Sequence, residues 1–174
     1  MLRRRRSVER EQTHTHLSDE QVDFQVGRSI DDLNWYPDYF PLKVGKHCAE
    51  GIGYLPRMSP ARREEWLLAT AQGCERLARS AAEPGVAESV HATGGASSML
   101  QLATCISNMT VVEVLVGAVA KLAAASSAIT QNVAQAPSTA SFFRHMAAQA
   151  NSNGLSHAFC ASQSHPLPWM SEPF

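Results

Sequence analysis

The chain has 174 residues, a mass of 18.9 kDa and a formal charge of -1, from 15 Lys and Arg against 16 Asp and Glu. That length fits one domain, or one domain with a tail, and is long enough to bury a core. A charge so near zero excludes a whole-molecule field drawing the chain to nucleic acid or membrane. Cys48, Cys74, Cys105 and Cys160 lie too far apart for a dense disulfide framework or a paired-cysteine zinc module.

The charges are unevenly divided. Residues 1–94 hold 13 of the 15 basic and 14 of the 16 acidic residues, and residues 95–174 hold only Glu113, Lys121, Arg144 and Glu172. That is far below the usual quarter of charged residues. Ser, Thr, Asn and Gln supply the polarity instead. Such a surface has little repulsion to keep copies apart. It favours packing against a partner, against itself or against a lipid face.

Residues 1–21 begin with Arg3, Arg4, Arg5 and Arg6 and read as a disordered basic tail. No apolar run follows, so no secretory signal is read, and a reducing cytoplasm is the expected location. His14 and His16 lie on one side of an extended strand, without a third ligand nearby. Residues 22–58 read as an irregular segment. Trp35, Tyr36, Tyr39 and Phe40 crowd around Pro37 and Pro41, which fix φ and keep their predecessors out of the α region. The reading is an ordered loop whose rings cap a helix surface. An alternative makes Trp35–Phe40 a lid over a ligand or active-site pocket. Gly51-Ile52-Gly53 lacks the Lys-Ser/Thr of a phosphate loop.

Residues 59–164 read as a helical domain. Ser59 is an N-cap and Pro60 fits the first helical position of a helix over Ser59–Glu83. Its apolar positions Leu67, Ala71, Cys74, Ala78 and Ala81 recur at three or four residues. Pro84-Gly85 ends it, and Glu83–Ala96 reads as a hinge. One long helix is predicted from Ser97 to Gln135. Its centre, Val111–Ile129, is interrupted by Glu113 and Lys121; an alternative lays it on or in a bilayer. Gly117, Ala120, Ala124 and Ala128 form a stripe of small residues that would let another helix approach closely. Pro137 breaks the run, and Ser138 caps a further helix over Thr139–Ala150, with Phe142, Phe143 and Met146 as apolar anchors. Residues 165–174 read as an extended tail.

Catalytic chemistry is weakly signalled. His157 and Cys160 are three residues apart and His47 and Cys48 adjacent, but neither pair carries a flanking hydrolase signature. Asp31/Asp32 and Glu64/Glu65 fit caps or solvated faces better than acid–base work. The expectation is no catalytic residue, no cofactor and no metal.

Ile129-Thr130-Gln131-Asn132-Val133-Ala134-Gln135, followed by Ala136-Pro137, resembles the opening of the R-body-associated killing-trait family, with its Ile/Val-Thr-x-x-Val-x-Gln pattern. His157-Ala158-Phe159-Cys160-Ala161-Ser162-Gln163 is similar to a later stretch of that family. Some eight residues that the family has between Gln135 and Ala136 are missing here, as is its final segment. The resemblance implies a small bacterial helical protein linked to R-bodies, insoluble ribbons that coil and extend, with a role in assembly.

The whole reading is an all-α protein, a helical bundle or hairpin. It self-associates or binds a helical partner through Gly117, Ala120, Ala124 and Ala128, with Phe142, Phe143 and Met146 in support. No specific nucleic-acid partner is expected.

Overall fold

Val22, Val26, Ile30 and Leu33 recur at helical spacing, and all four are buried. They form the inner face of α1 (Asp19–Trp35). Ser18 and Gln21 start it with a capping box: Gln21 Oε1 accepts from the Ser18 N–H at 2.8 Å, and Ser18 Oγ accepts from the Gln21 N–H at 3.2 Å. The computed structural model describes residues 17–35 and 40–149. After α1 come α2 (Phe40–Tyr54), a 3₁₀ turn (Leu55–Arg57), α3 (Pro60–Ser80), α4 (Val86–Thr93), α5 (Gly95–Cys105), α6 (Met109–Ala125), α7 (Ser127–Gln135) and α8 (137–149). Among the described residues there is no strand, and the fold is all-α.

The segment expected to be irregular, 22–58, is instead mostly α1, α2 and the 3₁₀ turn. Its glycines are packing positions rather than turns. Gly51 is buried under Trp66 of α3, and a Cβ there would overlap the indole ring. Gly45 lies against Gly95 of α5, and a Cβ on it would overlap the Gly95 backbone. Helices approach this closely only where side chains are missing. Residues 36–39, which include Tyr36 and Tyr39, lie outside the described residues, and with them the capping loop and the lid.

Four helices close a circuit. α2 packs on α5, α5 on α6, α6 on α3, and α3 back on α2. Met99, Leu102, Leu115, Leu122 and Leu77 fill its centre with exposures of 1% or less. α1 packs on α3 and α2, α4 packs on α2, and α7 rests on α6 and α4. Charge holds α1 in place. Arg62 reaches Asp23 at 3.1 Å, Arg57 reaches Asp19 at 2.7 Å, and Arg76 donates to the Leu33 carbonyl near the end of α1. That last contact satisfies an orphan carbonyl and places a cation at the negative end of the helix.

α3 follows the sequence closely: Ser59 Oγ accepts from the Arg62 N–H at 3.2 Å, with Pro60 next. The hinge expected at Glu83–Ala96 contains α4, held between two left-handed glycines, Gly85 (φ 83°) and Gly94 (φ 69°). The long helix expected over Ser97–Gln135 is broken twice. Residues 106–108 separate α5 from α6, where Asn108 Oδ1 accepts from the Val111 N–H at 3.3 Å. Ser126, extended at φ -145° and ψ 118°, separates α6 from α7. There Thr130 Oγ1 donates to the Ala123 carbonyl at 2.8 Å, across the break.

Gly45→Ala should destabilise the protein by about 1–3 kcal/mol, because the Gly95 backbone cannot yield as a side chain would. This loss should outweigh the ~1 kcal/mol helix-propensity gain. Gly27 of α1 has nothing within 4 Å of an added Cβ. Gly27→Ala should therefore keep the propensity gain and stabilise the chain. Urea unfolding midpoints of the two variants check the contrast.

Candidate functional site

Burial of polar groups is costly unless they are paired, and one buried polar network links three helices. Trp66 Nε1 donates to Ser29 Oγ at 3.1 Å, and Ser29 Oγ lies 2.8 Å from His47 Nδ1. An indole N–H only donates, so Ser29 accepts from Trp66 and has its own proton to give to Nδ1. That leaves the His47 proton on Nε2, which faces Asp32 Oδ2 at 3.8 Å and makes no hydrogen bond. Burial holds the His47 pKa below its ordinary 6.5, against the opposing pull of Glu50 and Asp32.

Serine, histidine and aspartate together suggest a nucleophile and its base. The arrangement argues otherwise. His47 is 5% exposed, Trp66 is 1% exposed, and neither of the grooves found between the helices reaches Ser29. The network ties α1 to α2 and α3. Its members lie 18 and 37 residues apart, so no local spacing announced it.

The larger groove lies between α5, α7 and the start of α8. Ser97, Gln101, Thr104, Cys105, Asn132 and Ser138 are among its walls, and its volume is about 680 Å³. Every polar group in the lining is a hydroxyl, an amide, a thiol or a backbone group. Ser97 Oγ donates to Asn132 Oδ1 at 2.9 Å. Cys105 is exposed, and Thr104 Oγ1 is 3.8 Å from its sulfur. Among the described residues the walls hold no imidazole or carboxylate, so these residues offer the groove hydrogen bonds and no general base for the thiol.

The residues expected at an interface divide into two groups. Gly117, Ala120 and Ala124 are exposed along one face of α6, and a Cβ on Gly117 would meet nothing within 4 Å. Ala128, partly buried, falls on α7 beyond the Ser126 break. Phe142 is 7% exposed and belongs to the core, because the turn at Ala136 directs α8 back over the bundle. Met146 is partly buried against that core. Phe143 is 65% exposed, its ring edge-to-face with Phe142 at a centroid distance of 5.7 Å. Thr110, Glu113 and Lys121 share the exposed face of α6. Neither Glu113 nor Lys121 takes part in an ion pair among the described residues.

Among the described residues, no group of three His, Cys, Asp or Glu side chains could hold a metal ion. Nor is any described helix long and apolar enough to cross a membrane, α6 included. His14, His16, His157 and Cys160 lie outside the described residues. Cys48 and Cys74 are both fully buried. The neighbouring Cys74 thiol and burial together push the Cys48 thiol well above its ordinary range. Compared with protein-family models, curated proteins and solved structures, the chain finds no match.

A histidine whose folded pKa lies below 6.5 takes up its proton more readily when the chain is unfolded, so acid favours unfolding. The stabilisation is complete above 6.5 and falls as pH drops through that value toward the lowered folded one. The urea midpoint should therefore fall between about pH 7.5 and pH 5.5, and His47→Gln should flatten that slope. The Asp23–Arg62 pair acts in a different window, below 3.8, where the held-down Asp23 carboxyl finally protonates. A thiol reagent should modify Cys105 in the native protein and spare Cys48 and Cys74 until unfolding, as read by peptide mass spectrometry.

Proposed function

We propose that this is a structural or interaction protein without catalytic chemistry, which self-associates through the exposed small-residue face of α6. The observation that carries the reading is Gly117, Ala120 and Ala124 lying outward on a helix whose other side is anchored in the core. A solvent-facing helix surface ordinarily carries charge, as the outer faces of α1 and α3 do here with Asp31, Glu64, Glu65 and Arg79. On α6 the outward face has small residues and two charges. Phe143, Phe24 and Leu68 add exposed apolar area elsewhere. Scattered apolar residues are ordinary, and the reading rests on α6 rather than on them.

The resemblance of Ile129–Gln135 to the R-body-associated killing-trait family supports the same class of role, assembly without catalysis. That stretch forms α7, next to the proposed surface. Both lines draw on the same Ala-rich composition, so they count as one argument. The bilayer alternative has no such support: at 17 residues α6 is shorter than the ~20 that a span takes.

Ala124→Leu should leave the far-UV circular dichroism unchanged, because the side chain faces solvent in a single copy. It should weaken self-association about tenfold or more, since bulk inserted at a close helix contact costs about 1–3 kcal/mol. Light scattering over a concentration series measures both proteins. An unchanged oligomeric mass in the variant would remove α6 from the interface.

A further inference from the structure

α6 has only two charged residues, and their placement carries more than its small-residue face does. Glu113 lies four residues before Gly117 and Lys121 four residues after it. At 100° and 1.5 Å per residue, each lies about 6 Å along the helix from Gly117 and about 40° to either side. All three are exposed, and Gly117 sits at the centre of the exposed arc.

We propose that α6 is the seam of a two-fold dimer in which two copies of this chain lie antiparallel and cross at Gly117. The proposal rests on the self-association reading and specifies its geometry. A two-fold axis through Gly117, perpendicular to α6, reverses the second helix. It brings Lys121 of the second copy to the height of Glu113, and Glu113 of the second copy to the height of Lys121. Both charges, unpaired in one copy, are matched twice by the same operation. Thr110 comes opposite Ala124, and Val114 opposite Ala120, so larger side chains meet smaller ones. With no side chain at the crossing point, the axes can approach until the flanking charges are within reach across the seam.

The complementarity also disfavours the nearest alternative geometry. Parallel helices in register would set Glu113 on Glu113 and Lys121 on Lys121. A different partner would need to bring its own opposite charges at this spacing, whereas a second copy has them already. Self-complementary patches of this kind are the signature of isologous interfaces. Because both charged groups lie at the edge of the seam, they set direction and register more than overall affinity.

Sedimentation equilibrium on the full chain tests this with Glu113→Lys, Lys121→Glu and the double exchange. Both residues are exposed, so all variants should fold as judged by circular dichroism. Each single exchange should weaken the dimer about tenfold or more, because two attractive pairs become two repulsive ones. The double exchange should restore wild-type affinity. An equimolar mixture of the two single variants should form mixed dimers tighter than either variant alone. A wild-type chain that stays monomeric throughout the concentration series overturns the seam and the self-association reading together. A wild-type oligomer indifferent to all the exchanges overturns the seam alone and leaves self-association standing.

Discussion

The fold depends on how closely α2 can lie against its neighbours. α2 touches α1, α3, α4 and α5, and at two of these contacts a glycine takes the place of a side chain. Gly45 meets the Gly95 backbone, and Gly51 lies beneath the Trp66 ring. The consequence of the second contact runs further. Because Gly51 admits the indole, Trp66 sits deep enough to donate to Ser29 on α1, and Ser29 in turn reaches His47 on α2. One absent Cβ therefore sets the spacing of three helices and the position of a buried polar network. In that network Trp66 and Ser29 each have a partner, and His47 Nε2 has none.

The early and late helices of the described residues are held by different contacts. α1 is packed through its Val22–Leu33 face and is oriented in addition by directed contacts: its capping box and the Arg57, Arg62 and Arg76 side chains that reach it from outside. From α5 onward the contacts are apolar, with hydroxyl and amide hydrogen bonds at the helix breaks. Charge that might have been spread over the molecular surface is concentrated where it orients the first helix. The outward faces of the later helices carry few charges.

Legibility followed the range of the physics. α3 could be read because its start and its inner face are both local: Ser59, Pro60 and an apolar recurrence along one segment. α1 was equally local, with Ser18, Gln21 and the Val22–Leu33 stripe, but the proline- and aromatic-rich stretch after it drew the whole region toward a loop reading. α2 was hidden for a better reason. A glycine that permits close approach looks the same in sequence as one that permits a turn; only the facing helix tells them apart. The breaks at Asn108 and Ser126 were signalled by cap-forming residues, yet the unbroken Ala-rich composition outweighed them. Of the predicted interface, Gly117, Ala120 and Ala124 face outward as helical periodicity allowed, while the burial of Phe142 depended on the direction α8 takes after Ala136.

The division of one expected long helix into short ones alters where its helicity comes from. A continuous helix from Ser97 to Gln135 would have had enough turns to persist in water unaided. α5 has 11 residues and α7 has 9, below the length at which an isolated helix survives its nucleation cost. Neither segment stores its own shape. Their helicity is supplied by the surfaces they dock on, α2 for one and α6 for the other, and it reports on the integrity of those surfaces rather than on the segments themselves.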